Sequence, residues 1–380
     1  MDVTSRGSGL RLALSWSDDE PATVSLRGPG QADLSPATAP LVEALAAGHG
    51  REWAGRRFVD TAIGRRLRHR AHRVERRGPW QTASLTQYDD VTGLEFTAEL
   101  TIHDEELGLR GRTHTRNVGA QPVTLHAVSS LTFGDFGTPK PTALDQWSLL
   151  RGRSDWLAEG RFERVPLRAA GLPDLHVEGK PFRTRGCIEA VSLSSWPTAY
   201  EMPVGVLIDP AGPQWSFQVE HNGGWVWQLG ERPESLYLAL LGPTDEHHQW
   251  QLELRPGETF SSAPASICVE PACAPLALPA LTSFRRASAP ATLREPSAVI
   301  FNDYMNTVMG DPTANALYPL IDAAAQAGAD YFVIDAGWYA DDGDWWETVG
   351  EWLPSPRRFP DGLDRVLEHV RRRGLVPGLW

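Results

Sequence analysis

Three short segments in the last quarter of the chain place carboxylate, amide and aromatic side chains directly after apolar runs. Ala298-Val299-Ile300-Phe301 leads into Asn302, Asp303 and Tyr304; Tyr331-Phe332-Val333-Ile334 leads into Asp335, Gly337 and Trp338; a third run from Leu375 ends on Trp380. Parallel strands bring such residues to one mouth, because their carboxyl ends converge. Two carboxylates, amide groups and indole rings around one mouth suit a neutral polyhydroxylated ligand. A phosphate is disfavoured, since neither a glycine-rich phosphate loop nor a basic cluster is present. A sugar is the simplest ligand of this kind. The same residue types also serve architecture: Asp and Asn after a strand cap turns, and Trp338, Trp345, Trp346 and Trp352 suffice to roof a barrel. Asp341-Asp342-Gly343-Asp344 lacks the ligand spacing and bidentate Glu of a calcium loop and reads as a solvated loop.

The elements that must position these residues follow from periodicity. Leu317, Leu320, Ile321, Ala324 and Ala327 recur at helical spacing until Gly328, and Pro319 places the start of that helix near Leu317, where a missing N–H costs little. Tyr331 to Ile334 is an unbroken apolar run of the kind buried on both faces of a parallel sheet. Asp361 is in position to cap a second helix, with Leu363, Val366, Leu367 and Val370 on one face and Gly374 as its stop. Leu375 to Trp380 reads as a third strand. Strands joined by helices of this length form parallel β-α-β units.

The region upstream has a different grammar. Leu94 to Ile102, Val123 to Val128 and Trp250 to Leu254 alternate apolar and polar residues, with turn formers every eight to twelve residues or so, as in antiparallel sheets. Pro40 to Ala47 is the one stretch of comparable strength with a helical period and reads as a short surface helix. Pro271 to Pro296 is rich in Pro, Ala, Ser and Leu, as expected of a linker, with a short helix around Leu281 to Ser288. The expected organisation is multidomain: an antiparallel β-sandwich over 1–273, a linker over 274–296, and the first three strands of a (β/α)8 barrel over 297–380.

Composition narrows the function classes. The chain has 380 residues, 41% hydrophobic and 22% charged, so most of it should fold into more than one domain. A formal net charge of −12 has the wrong sign for following a phosphate backbone, so no nucleic acid partner is expected. Cys187, Cys268 and Cys273 are too few and too irregularly spaced for a disulfide framework or a zinc site. No run of eighteen apolar residues and no signal-peptide core is present, so no membrane association is expected and the expected location is the cytoplasm. Five of the fifteen tryptophans follow Asp335; indole faces suit the C–H faces of pyranose rings, although most should pack in cores.

Phe301-Asn302-Asp303-Tyr304-Met305-Asn306, Phe332-Val333-Ile334-Asp335-Ala336-Gly337-Trp338, Gly350-Glu351-Trp352, Phe359-Pro360-Asp361-Gly362-Leu363 and Pro377-Gly378-Leu379-Trp380 together resemble the start of the barrel in glycoside hydrolase family 36, the family of bacterial α-galactosidases. His221-Asn222-Gly223-Gly224-Trp225 and Leu254-Arg255-Pro256-Gly257-Glu258-Thr259-Phe260 are similar to segments of that family's N-terminal sandwich. The resemblance implies retaining hydrolysis of terminal α-galactosides without a metal or organic cofactor, with galactose held by an Asp-Asp-Gly-Trp motif at the end of the second strand. Asp335 matches the first carboxylate and Trp338 the Trp; Ala336 replaces the second carboxylate. Trp380 matches a Trp that lines the same subsite, and Tyr304 stands where many relatives carry an aromatic residue.

By the same resemblance the nucleophile belongs at the end of the fourth strand and the acid/base at the end of the sixth, both beyond Trp380, so the chain as given is expected to be inactive. A complete barrel takes about 250 residues, against some 84 after Pro296. A homo-oligomer is implied for the full-length protein. Two alternatives stand beside this reading. Ala336 leaves space beside Asp335, which keeps an α-N-acetylgalactosaminidase or a galactosyl transglycosylase on the same fold in play. The other is a non-catalytic carbohydrate-binding sandwich module.

Overall fold

The computed structural model describes residues 1–31, 39–51, 55–136, 141–172, 186–232, 236–270, 278–290, 297–342 and 344–380. They fall into two compact units, Met1–Ala289 and Pro290–Trp380.

The first unit is built from antiparallel sheets. Leu94–His103 alternates buried and half-buried residues along its whole length, with Leu94, Phe96, Ala98, Leu100 and Ile102 inward, because successive side chains of a strand leave opposite faces. It pairs with Trp80–Asp89 on one side and Gly108–Asn117 on the other, inside a ten-stranded sheet. A six-stranded sheet, with Trp225–Glu231, Leu236–Leu241 and Val123–Phe133 at its centre, lies across the same core. Rings interlock between the two layers: Phe217 meets Trp227 at 5.4 Å between centroids, and Phe133 meets Trp215 at 5.4 Å. A three-stranded sheet of Asp2–Thr4, Arg11–Ser15 and Thr23–Arg27 completes the unit. The buried guanidinium of Arg27 holds Asp135 from this small sheet, with Nη2 donating to Oδ1 at 2.6 Å.

Two expectations for this region change. Pro40 to Ala47 is not a helix: Ala44–Ala46 is a strand paired with Val123–Phe133. The segment has one polar residue, Glu43, and that residue is itself fully buried. A surface helix needs a polar face, and sheet pairing wins over local propensity. The helix expected inside a linker forms as Leu278–Ser288, but Leu281 and Phe284 pack with Cys268 on the ten-stranded sheet, so it belongs to the first unit. Cys187 and Cys268 are free thiols; Cys273 lies outside the described residues, as do 274–277 and 291–296 of the expected linker.

The second unit alternates strand and helix. Ile300–Asn302, Tyr331–Ile334 and Val376–Leu379 form a parallel sheet in sequence order, in register Ile300 to Tyr331 to Val376. Ala314–Gln326 and Leu363–Arg372 connect them. Leu317, Ile321, Val366 and Val370 pack over Phe332 and Ile334, all fully buried. Tyr331 is 37% exposed and Val333 only half-buried, so among the described residues the second strand is covered on one face, not two. The first helix starts at Ala314, earlier than Pro319 suggested, with the Thr313 side chain accepting from the Ala316 amide. Pro319 and Asn315 are both exposed, so the carbonyl that loses its partner faces water. Asp361 does not cap the second helix: the capping position is Gly362, at φ +87° and without a side-chain bond.

Candidate functional site

The alternation of the sheet decides which residues share a face. Tyr331, Val333 and Asp335 have one parity, and the register places Ile300 and Asn302 from the first strand, and Val376, Gly378 and Trp380 from the third, on the same side. Asn302, Asp335 and Trp380 therefore leave the carboxyl ends of three adjacent strands on the face away from the helices. Asp303 has the opposite parity. Expected at the mouth beside Asn302, it is instead wholly buried, because a residue one step along a strand end turns towards the helix layer.

Asp335 is fixed from three directions. The Asn302 side-chain amide donates to its Oδ2 at 2.6 Å, and the Ala336 amide donates to its Oδ1 at 2.7 Å. Behind it, the Asp335 main-chain amide donates to Oδ1 of Asp303 at 2.8 Å. The orientation of the Asn302 amide is itself set, since its Oδ1 accepts from the Tyr304 amide at 2.9 Å. That leaves its NH2 group directed at Asp335. The chain then runs through a π-helical turn, Tyr304–Val308, where the Thr307 hydroxyl donates to the Asp303 carbonyl. Burial, reinforced by the nearby charge of Asp335, pushes the Asp303 carboxyl up to about 6; its bond from the Asp335 amide opposes the rise. Oδ2 of Asp303 is buried and has no hydrogen-bond partner.

Aromatic rings continue outward from this group. Tyr304 stands edge-on to Trp345 at 6.0 Å, Trp345 edge-on to Trp380 at 5.7 Å, and Trp380 lies 6.2 Å from Trp352. Trp352 in turn stacks on Trp338 at 6.1 Å. Trp338 is 6% exposed and gives its indole N–H to the Trp380 carbonyl at 3.1 Å, so it supports the rim from beneath. Trp380 is about half exposed and has a face open to a ligand. Of the adjacent pair, Trp345 packs inward and Trp346 lies outside, stacked on it.

Two close approaches hold this loop. A Cβ on Gly337, at φ +99°, would fall 2.1 Å from the Gly310 carbonyl oxygen, and one on Gly310 would meet the Trp345 indole. Arg358 is buried beneath the loop and donates to the carbonyls of Ala340 and Asp342 while pairing with Asp311. Sequence reasoning gave Arg358 no role, and an Arg-Arg pair in a Pro-rich loop does not signal which of the two is buried. Trp345 and Trp352, which by type suffice for a roof, both make ring contacts with Trp380. Ala336 is packed in the helix-side core at 1% exposure, so the space expected beside Asp335 is not open there.

A family model described as Melibiase matches residues 283–380. α-Galactosidase 1 of Pediococcus pentosaceus is 22% identical over 310 residues, covering 79% of this chain and 38% of the relative. α-Galactosidase AgaA of Geobacillus stearothermophilus is 22% identical over 314 residues, covering 81% of this chain and 40% of the relative. The chain is similar, over most of its length, to the α-galactosidases of glycoside hydrolase family 36. The fold agrees throughout: the crystal structure of family 36 AgaB from Geobacillus stearothermophilus superposes on the whole chain with a TM-score of 0.74 at 16% identity, over 56% of its own length. A variant of AgaA in complex with 1-deoxygalactonojirimycin gives 0.75 at 15% identity, again over 56% of its length. The chain spans about two fifths of the length of the curated relatives it matches.

Proposed function

We propose that this chain supplies the sugar-holding wall of an α-galactosidase-type retaining glycoside hydrolase, with Asp335 as the principal acceptor for hydroxyl groups of a terminal galactose. The observation that carries the reading is the bond from Asn302 to Asp335, made between the ends of adjacent parallel strands on the uncovered face of the sheet. An ionised carboxylate held in this way keeps lone pairs directed outward. Each charge-assisted bond it accepts from a sugar hydroxyl contributes about 1.5–3 kcal/mol of affinity. Asn302 retains a second N–H for the ligand, Trp380 offers an apolar face to the pyranose C–H surface, and Tyr304 closes the side of the first strand.

The three parallel strands are the opening of a (β/α)8 barrel, whose mouth is where catalytic groups gather. Retaining hydrolysis there takes one carboxylate as nucleophile and a second as acid/base, with no metal. In the proposed enzyme both belong to later strands, and Asp335 and Asn302 hold the sugar ring in place for them. Variants of AgaA were crystallised with raffinose and with stachyose, which supports α-galactosyl oligosaccharides as the substrate class. Turnover of an aryl α-galactoside by the complete gene product tests the reading. Asp335→Ala should lower kcat/KM by at least about a hundredfold, the worth of two charge-assisted bonds. An unchanged kcat/KM in that variant overturns the proposal.

A further inference from the structure

We propose that Asp303 is a positioning residue for the sugar subsite, acting on the ligand through Asp335 and never touching it. The inference rests on the reading of Asp335 given above. Asp303 is 0% exposed, so no sugar reaches it. Among the described residues its side chain is held by the 2.8 Å bond that its Oδ1 accepts from the Asp335 amide. That bond sets the main chain from which the Asp335 carboxylate projects. Asn302 acts on the far end of the same side chain, so Asp335 is gripped at backbone and at carboxylate by two consecutive residues of one strand end. A single misdirected acceptor at a binding rim loses its ligand bonds, since these bonds weaken steeply with angle.

Architecture alone asks only for an acceptor at Oδ1, and an asparagine side chain would provide one. The carboxyl adds a titratable proton and a buried oxygen, Oδ2, that nothing satisfies. Of the elements packed around it, the second strand brings the Asp335 carboxylate, and the turn Tyr304–Val308 brings no charged side chain. Below its raised pKa, Asp303 holds a proton on Oδ2 and its bond to the Asp335 amide is between neutral groups. Above it the acceptor is ionised and the bond strengthens. Asp335 is therefore held more firmly on the alkaline side of about pH 6.

The experiment has two arms. In the first, the Asp335 amide proton of the isotopically labelled 380-residue chain is followed by NMR from acid to mildly alkaline pH. Its shift should titrate with a midpoint near 6 in the native chain and stay flat in Asp303→Asn, whose side-chain oxygen keeps the amide protected from exchange. An amide that does not titrate, or that titrates equally in Asp303→Asn, overturns the proposal. In the second arm, KM and kcat for methyl α-galactoside are measured in the complete gene product. Asp303→Ala should raise KM about tenfold, the worth of one lost charge-assisted bond at the rim, and Asp303→Asn by less, with kcat nearly unchanged in both. A native KM in Asp303→Ala overturns the positioning role. Should Asp335→Ala also bind normally while the amide titration is as described, the subsite reading fails and the Asp303 contact stands.

Discussion

The side-chain amide of Asn302 donates to Oδ2 of Asp335 at 2.6 Å, linking the carboxyl ends of two neighbouring parallel strands. The Tyr304 amide fixes which way Asn302 faces, so the donor cannot be exchanged for the acceptor without breaking a second bond. In the proposed subsite the pair is a preorganised acceptor: the cost of orienting Asp335 is met in folding and not at the moment of binding.

Asn302→Ala should therefore weaken sugar binding without removing the carboxylate. An increase of about tenfold in KM for an aryl α-galactoside is expected, with a smaller change in kcat. Asn302→Asp should be worse, because it sets a second negative charge at hydrogen-bond distance from Asp335. Steady-state kinetics on the three proteins checks the ranking.

The two tryptophans identified from the motif should separate. Trp338 is nearly buried and bonded to the Trp380 carbonyl, so Trp338→Phe should cost about 1–2 kcal/mol of stability and leave KM close to native. Trp380→Ala removes an exposed face and should raise KM with little effect on unfolding. Chemical denaturation alongside kinetics distinguishes them, and the reverse pattern contradicts the assignment of wall and rim.

Much of this site was legible because parallel strands state their direction in sequence. The run Tyr331 to Ile334 and its following Asp335 fell where periodicity put them, and the motif residues of all three strand ends lie together. What sequence could not give was parity at a strand end. Asn302 and Asp303 are adjacent and chemically alike, yet one lies on the sheet face away from the helices and the other is buried, a choice made by the register with Val333 and Gly378. Pro40 to Ala47 differs for a related reason: its period fits a helix, but the pairing of Ala44–Ala46 with Val123–Phe133, distant in sequence, decides its structure. Asp361 failed because Gly362 adopts a positive φ that moves the helix start one residue on.

Stability of the second unit should depend on pH through Asp303. Its carboxyl rises from 3.8 unfolded to about 6 folded, so the unfolded chain releases its proton first. Stability is full below about pH 4 on this account and falls as pH rises through about 6, by up to about 3 kcal/mol. Asp303→Asn should flatten that dependence. Thermal unfolding monitored through tryptophan fluorescence at pH 5 and pH 8 measures it, and identical slopes in both proteins contradict it.

In the sandwich, Arg27 and Asp135 form an ion pair with both partners buried. Removing one partner leaves an uncompensated buried charge, so Asp135→Leu should destabilise the first unit by about 3–5 kcal/mol. The double variant Arg27→Met with Asp135→Leu should recover most of the loss. Urea unfolding provides the comparison.

Gly337→Ala should disorder the tryptophan rim, since its Cβ would lie 2.1 Å from the Gly310 carbonyl oxygen and its φ is +99°. Circular dichroism in the near ultraviolet should lose indole signal while the far ultraviolet, dominated by the sandwich, is kept.

The most direct test is binding of methyl α-galactoside to the complete gene product with Asp335 intact and as Asp335→Ala, read by calorimetry on folded protein. Asp335→Ala should lose at least about a hundredfold in affinity with no change in unfolding beyond about 1 kcal/mol. Equal affinity in the two proteins would contradict it.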